Sequence, residues 1–190
     1  MGSPNQVQED ETALIARIRD GDVEAYSGLV KRFQGPLMGF IFNLVHDRQL
    51  AQDLAQETFL KAYKSLRSYE NRNNAAFSTW LFSIARNACI DALRRTKWKY
   101  EEIQEGHAVT SGEPGPLEGL DGARFRQVVE SGLAQLHEKY RVAFELTLVQ
   151  GFTYEEAARI MDSNLGTVRS RVHKAREHLK GKLRKVFITE

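Results

Sequence analysis

The chain has 190 residues, 42% of them apolar and 27% charged, which excludes a disordered polar chain and leaves enough material for a buried core. Its single cysteine, Cys89, excludes an internal disulfide and a multi-cysteine metal site and fits a reducing compartment. The longest nearly apolar run, residues 37–45, is far short of the ~20 residues that span a bilayer, and no secretion signal opens the chain. The expectation is a soluble, cytoplasmic, all-α protein.

A net charge of +2 conceals blocks of alternating sign. Residues 9–24 carry net −4 and overlap the first predicted helix, Thr12–Asp20. Gly21-Asp22 separates it from a second, Val23–Phe33, with Ala25, Tyr26, Leu29, Val30 and Phe33 at helical spacing. Pro36 is expected to open a third, apolar helix ending near Val45. A fourth, from about Arg48 to Ser65, carries Ala51, Ala55, Phe59, Ala62, Tyr63 and Leu66 as an apolar stripe. Residues 69–76 form an asparagine-rich turn. The fifth helix, from Phe77 to about Arg95, shows Phe77, Leu81, Ile84, Ala85, Ala88 and Leu93 on one face, and residues 86–100 carry net +4.

Residues 101–122 carry net −6 with no lysine or arginine, and seven of these 22 residues are glycine or proline. Without a hydrophobic period, the stretch reads as a flexible acidic linker held extended by its own charge. It divides the chain into an N-terminal unit, 1–100, and a C-terminal unit, 123–190.

The C-terminal unit begins with predicted helices Arg124–Gln135 and His137–Val149. Thr153 then N-caps a short helix, Tyr154–Met161, with Glu156 completing a capping box. A turn over Asp162-Ser163-Asn164-Leu165 leads to a long basic helix, Gly166 to about Leu183, and residues 164–187 carry net +7. Short helix, tight turn and basic helix together make a helix-turn-helix. Small Ala158 allows close helix approach and Val168 plugs the core, leaving Arg169, Ser170, His173, Lys174 and Arg176 facing outward. Such side chains reach phosphates and guanine edges from the major groove. No HExxH, P-loop, Gly-rich dinucleotide turn or Cys/His cluster is present, and the five histidines are scattered, so neither an enzyme nor a bound cofactor or metal is expected.

Three stretches in register resemble the bacterial extracytoplasmic-function (ECF, group IV) sigma factors of the sigma-70 family. Residues 53–63 (DLAQETFLKAY) are similar to the family's polymerase-binding helix and residues 77–87 (FSTWLFSIARN) to its −10 helix. Residues 154–158 (YEEAA), followed by 166–176 (GTVRSRVHKAR), are similar to its −35 helix-turn-helix. The resemblance implies two helical domains, a sigma region 2 bundle and a sigma region 4 helix-turn-helix. It also implies binding to the β′ coiled coil and β subunit of core RNA polymerase, promoter recognition, and restraint by an anti-sigma factor.

Carried onto this chain, the resemblance assigns polymerase binding to Asp53, Gln56, Glu57 and Leu60, which at i, i+3, i+4 and i+7 share one helix face. The same spacing also suits a solvated face. The −10 strand falls to Asn71, Arg72, Asn73, Asn74, Trp80, Arg86, Asn87, Arg94 and Arg95, because an unstacked strand needs amides, planar groups and cations. From spacing alone, Trp80 and Phe77 read rather as ordinary core. The −35 element falls to Arg169, Ser170, His173 and Lys174, with Arg171, Arg176 and Lys180 on phosphates. His173 and Lys174 depart from the aromatic and arginine often found there. Two other readings remain: a dimeric helix-turn-helix regulator on a palindromic site, and a sigma-like mimic that binds an anti-sigma factor without touching DNA.

Overall fold

The computed structural model describes residues 13–66, 76–103 and 120–187, and among these only helices and turns occur. The N-terminal unit comprises α1 (13–19), α2 (Val23–Val45), α3 (Arg48–Ser65) and α4 (Phe77–Ile103). Gly21, at φ +99°, turns the chain after α1, and Asp22 caps α2 by accepting from the Ala25 amide at 3.0 Å. The Arg17 guanidinium, 2.6 Å from that carboxylate, joins the cap in lowering its pKa. His46 closes α2 in the left-handed region, and Asp47 accepts from the Leu50 amide to start α3.

Pro36 does not start a helix; α2 runs through it unbroken. An interior proline forfeits a backbone hydrogen bond and costs about 3 kcal/mol. Here Leu29, Phe33, Leu37, Phe40, Ile41 and Leu44 form one buried stripe spanning the proline. Each such side chain contributes about 1.5–3 kcal/mol on burial, so the continuous face outweighs the break. A second difference concerns α3: its buried face is Ala51, Leu54, Ala55, Thr58 and Ala62, with Phe59 half-buried and Tyr63 41% exposed. The Thr58 hydroxyl satisfies itself on the Leu54 carbonyl at 2.7 Å, which lets a polar residue occupy the core side. α4 also continues eight residues past the expected end at Arg95.

In the C-terminal unit, α5 (Leu120–Ala134) and α6 (Glu138–Phe144) pack against α8 (Leu165–Phe187), and α7 (Tyr154–Ile160) closes the group. A π-helical turn, Glu145–Val149, follows α6. The predicted capping box at α7 is formed: Thr153 accepts from the Glu156 amide, and Glu156 accepts from the Thr153 amide.

The two units are in contact. α7 lies on α4, and α6 with the π-turn meets the end of α2, so a single apolar cluster runs from Ile15 to Val172. Phe82 is its hinge point, 5.2 Å from the Phe40 ring within its own unit and 4.9 Å, edge to face, from Phe152 in the other. This explains why α4 buries Phe82, Cys89 and Ile90 along with Phe77, Leu81, Ala85 and Ala88, while Ile84 and Leu93 of the expected face stay half-buried.

Candidate polymerase and nucleic-acid interface

With Leu54, Ala55, Thr58 and Ala62 turned into the bundle, the opposite side of α3 is fixed. Asp53, Gln56, Glu57 and Leu60 are all exposed there, and Leu60 keeps 59% of its surface in solvent. Glu57 pairs with Lys61 at 2.6 Å and Asp53 accepts from Gln49 at 3.3 Å, so both carboxylates are oriented along the helix. Tyr63, seven residues after Gln56, extends the same face. Its ring packs at a tilt against Tyr26 with centroids 4.8 Å apart, which holds a second apolar group beside Leu60. Sequence spacing placed Tyr63 in the core; only the shift of the buried stripe to Leu54 and Thr58 turns it outward. An exposed leucine and tyrosine among oriented acids form a surface suited to a basic helical partner.

The residues expected to meet the −10 strand divide into three groups. Asn71, Arg72, Asn73 and Asn74 lie outside the described residues. Asn87, Arg94 and Arg95 are exposed along α4. Trp80 and Arg86 are half-buried: Trp80 packs on the core with its ring 5.5 Å from Phe77, and its carbonyl accepts from Ser83. Arg86 donates to Asn87 at 2.9 Å, while its Nε has no hydrogen bond among the described residues. Burial, and then the positive charge of Arg171 from the other unit, push the Arg86 pKa down.

In the helix-turn-helix, Asp162 occupies the left-handed region at φ +46°, the conformation a glycine usually supplies in such a turn. Asn164 then accepts from the Thr167 amide at 2.7 Å and caps α8. Val168 and Val172 are buried, which places Arg169, Ser170, His173, Lys174, Arg176 and Lys180 in solvent, with Arg171 half-buried. The Arg169 guanidinium sits 5.9 Å above the Tyr154 ring, and Lys174 and Lys139 flank the Tyr140 ring at 5.8 and 5.1 Å. Lys139, Tyr140, Asn164, Ser170, Arg171 and Lys174 border a polar recess of about 450 Å³ at the start of α8. Two of these, Lys139 and Tyr140, were not singled out from the sequence. Their signal was a basic-aromatic pair opening a helix, and only folding brings it beside α8. The recess gathers amide, hydroxyl and cationic donors, the chemistry that holds a phosphate backbone.

A helical bundle carrying an acid-rimmed apolar face, joined to a helix-turn-helix with a basic second helix, defines a DNA-directed protein of the transcription machinery. The Sigma-70 region 2 family matches residues 29–99 and the Sigma-70 region 4 family residues 126–179. RNA polymerase sigma-H factor of Pseudomonas aeruginosa is 37% identical over 180 residues, covering 90% of this chain and 92% of that protein. ECF RNA polymerase sigma-E factor of Escherichia coli K12 is 34% identical over 187 residues, covering 93% and 95%. Among solved structures, the sigma factor RpoE in complex with the anti-sigma factor NepR from Bartonella quintana superposes with a TM-score of 0.70 at 28% identity, covering 85% of this chain and 98% of that one. CnrH in complex with the cytosolic domain of CnrY shares the fold, with a TM-score of 0.67 at 22% identity over 92% and 97% of the chains. The chain belongs to the ECF branch of the sigma-70 family of RNA polymerase sigma factors. It is therefore a sigma factor, which directs core RNA polymerase to promoters.

Proposed function

We propose that three surfaces divide this work. The α3 face (Asp53, Gln56, Glu57 and Leu60, joined by Tyr63) docks on core polymerase. Arg169, Ser170, His173 and Lys174 read the −35 duplex, with Arg171, Arg176 and Lys180 on its phosphates. α4 and the preceding loop take the opened −10 strand. The organising division is 1–100, 101–122 and 123–190, with the acidic segment as tether. The protein acts by affinity rather than catalysis, in the cytoplasm, beside the polymerase. The structures with NepR and CnrY favour a similar partner here, an anti-sigma factor that competes for these surfaces.

The observation that carries the reading is the exposed Leu60 set among Asp53, Gln56 and Glu57, with Leu54 and Thr58 anchoring the opposite side. A dimeric helix-turn-helix regulator has no use for that face. The test is co-elution of the purified protein with bacterial core RNA polymerase, alongside Asp53→Arg with Glu57→Arg. Loss of co-elution in a variant that keeps its helical content supports the assignment. Retained co-elution removes it, and a free dimer that ignores polymerase restores the regulator.

A further inference from the structure

Glu145 is fully buried on the π-turn of region 4, and the one described hydrogen bond of its side chain crosses to region 2, where Asn43 donates to Oε2 at 3.1 Å. Its other oxygen, Oε1, has no hydrogen bond among the described residues. Beside it, buried Arg141 donates across the same boundary to His46 Nε2 at 3.4 Å, while its own Nε makes no described hydrogen bond. Burial drives the Glu145 carboxyl above the usual carboxylate range and the Arg141 and His46 cations below theirs. A polar group desolvated with half its hydrogen bonds costs about 1–3 kcal/mol. Region 4 thus presents a buried carboxyl whose described side-chain hydrogen bond is made to an amide of region 2.

The far side of the boundary has the same balance. Phe82 against Phe152 favours contact, and Arg86 of region 2 feels charges of both signs from region 4, the repelling Arg171 and the attracting Glu138 and Asp162. Those two arginines belong to the sets assigned above to the −10 and −35 elements. Elements centred about 25 base pairs apart are separated by roughly 85 Å of B-form duplex. Side chains that face each other across one packed interface do not reach both. The closed arrangement is therefore not the promoter-bound one.

We propose that the Asn43–Glu145 hydrogen bond is an interdomain latch that holds the free sigma factor closed, α7 over α4, and that its release separates region 4 from region 2. The obstruction of DNA binding that follows rests on the reading of α4 and α8 given above; the latch itself does not. Asn43 is the releasing side, because it lies half-exposed on the outer face of α2 and its loss leaves the region 2 core intact. Asn43→Ala strands the buried carboxyl and shifts the balance toward opening by about 5- to 150-fold, the equivalent of 1–3 kcal/mol. Glu145→Leu added to it replaces both partners by apolar groups, which is close to neutral, and closure returns.

Small-angle X-ray scattering on the free full-length protein reads this directly, with circular dichroism as the folding control. Wild type scatters as a compact particle, Asn43→Ala expands at unchanged helical content, and Asn43→Ala with Glu145→Leu contracts again. A wild type already expanded, an Asn43→Ala variant as compact as wild type, or a double variant as expanded as the single overturns the latch. Should Glu145→Leu disturb region 4, Glu145→Gln on the wild-type background decides: retaining a hydrogen-bonding group without an ionisable charge, it stays closed, and expansion overturns the proposal. Fluorescence anisotropy with a promoter fragment and no polymerase separates the two layers. An expanded Asn43→Ala variant that gains affinity supports both; one that expands without gaining affinity upholds the latch and removes the DNA assignment.

Discussion

The Tyr26 hydroxyl donates to the carbonyl of Phe59, tying the first turn of α2 to the middle of α3. The same tyrosine packs, tilted, against Tyr63, so one residue braces the helix that carries Leu60. Burial raises the Tyr26 pKa from 10.0 to about 12. A phenol whose pKa is raised on folding supports stability that is intact below its unfolded pKa and is lost as pH climbs through the folded one. Urea unfolding of wild type should thus show an extra loss of stability between pH 10 and 12 that Tyr26→Phe lacks. At pH 7 Tyr26→Phe should cost about 1 kcal/mol for the missing hydrogen bond.

Leu60 contributes little to the fold because it is 59% exposed. Leu60→Ala should leave unfolding stability within about 0.5 kcal/mol of wild type. Its affinity for core polymerase should fall at least tenfold, the effect expected of a central apolar anchor, as titrated by fluorescence. A stability loss with unchanged affinity would place Leu60 in the fold rather than the interface.

On α8, residues that read bases should behave differently from residues that hold phosphates. Arg176→Ala should weaken binding evenly across promoter sequences and reduce the slope of log affinity against log salt by about 1. Arg169→Ala should flatten preference for the −35 sequence, at about 1–3 kcal/mol of discrimination. Both variants should still co-elute with polymerase.

The turn of the helix-turn-helix rests on Asp162 at positive φ and on the Thr153 cap. Asp162→Gly should be tolerated, whereas Asp162→Val should cost about 1–2 kcal/mol because a β-branched side chain resists that conformation. Thr153→Ala should cost about 1 kcal/mol. Thermal unfolding followed by circular dichroism measures all three.

Cys89 is buried, and desolvation raises its thiol to about 12. At pH 8 it stays protonated and enclosed, so a thiol reagent should modify it only after denaturant is added. Rapid modification of the native protein would mean that α4 opens readily at this point.

Much of the architecture was legible because its signals are local. The Thr153–Glu156 capping box and the small Ala158 set against Val168 in the helix-turn-helix are written in a few nearby residues. So is the exposed quartet Asp53, Gln56, Glu57 and Leu60. What misled was tertiary. Pro36 carries a strong local breaker signal, and only a core reaching from Leu29 to Leu44 overrides it. Tyr63 fits an apolar stripe by spacing, but α3 is rotated so that Thr58 faces inward in its place. Lys139 and Tyr140 join the recess at α8 from more than twenty residues away, and nothing in their neighbourhood announces it. Glu145, a carboxylate on an otherwise apolar stretch, becomes meaningful only beside Asn43, 102 positions earlier.

A core that runs unbroken from Ile15 through Phe82 to Val172 also governs how the molecule comes apart. Two lobes with separate interiors would melt in two steps, and damage to one would spare the other. Here the packing of α4 is shared, so wild type should melt as one cooperative unit while parted lobes melt separately. Parting them uncovers apolar surface along α4 and raises the population of locally unfolded states on which proteases act. Digestion by an added protease should therefore run faster on a variant whose units have parted than on the closed wild type.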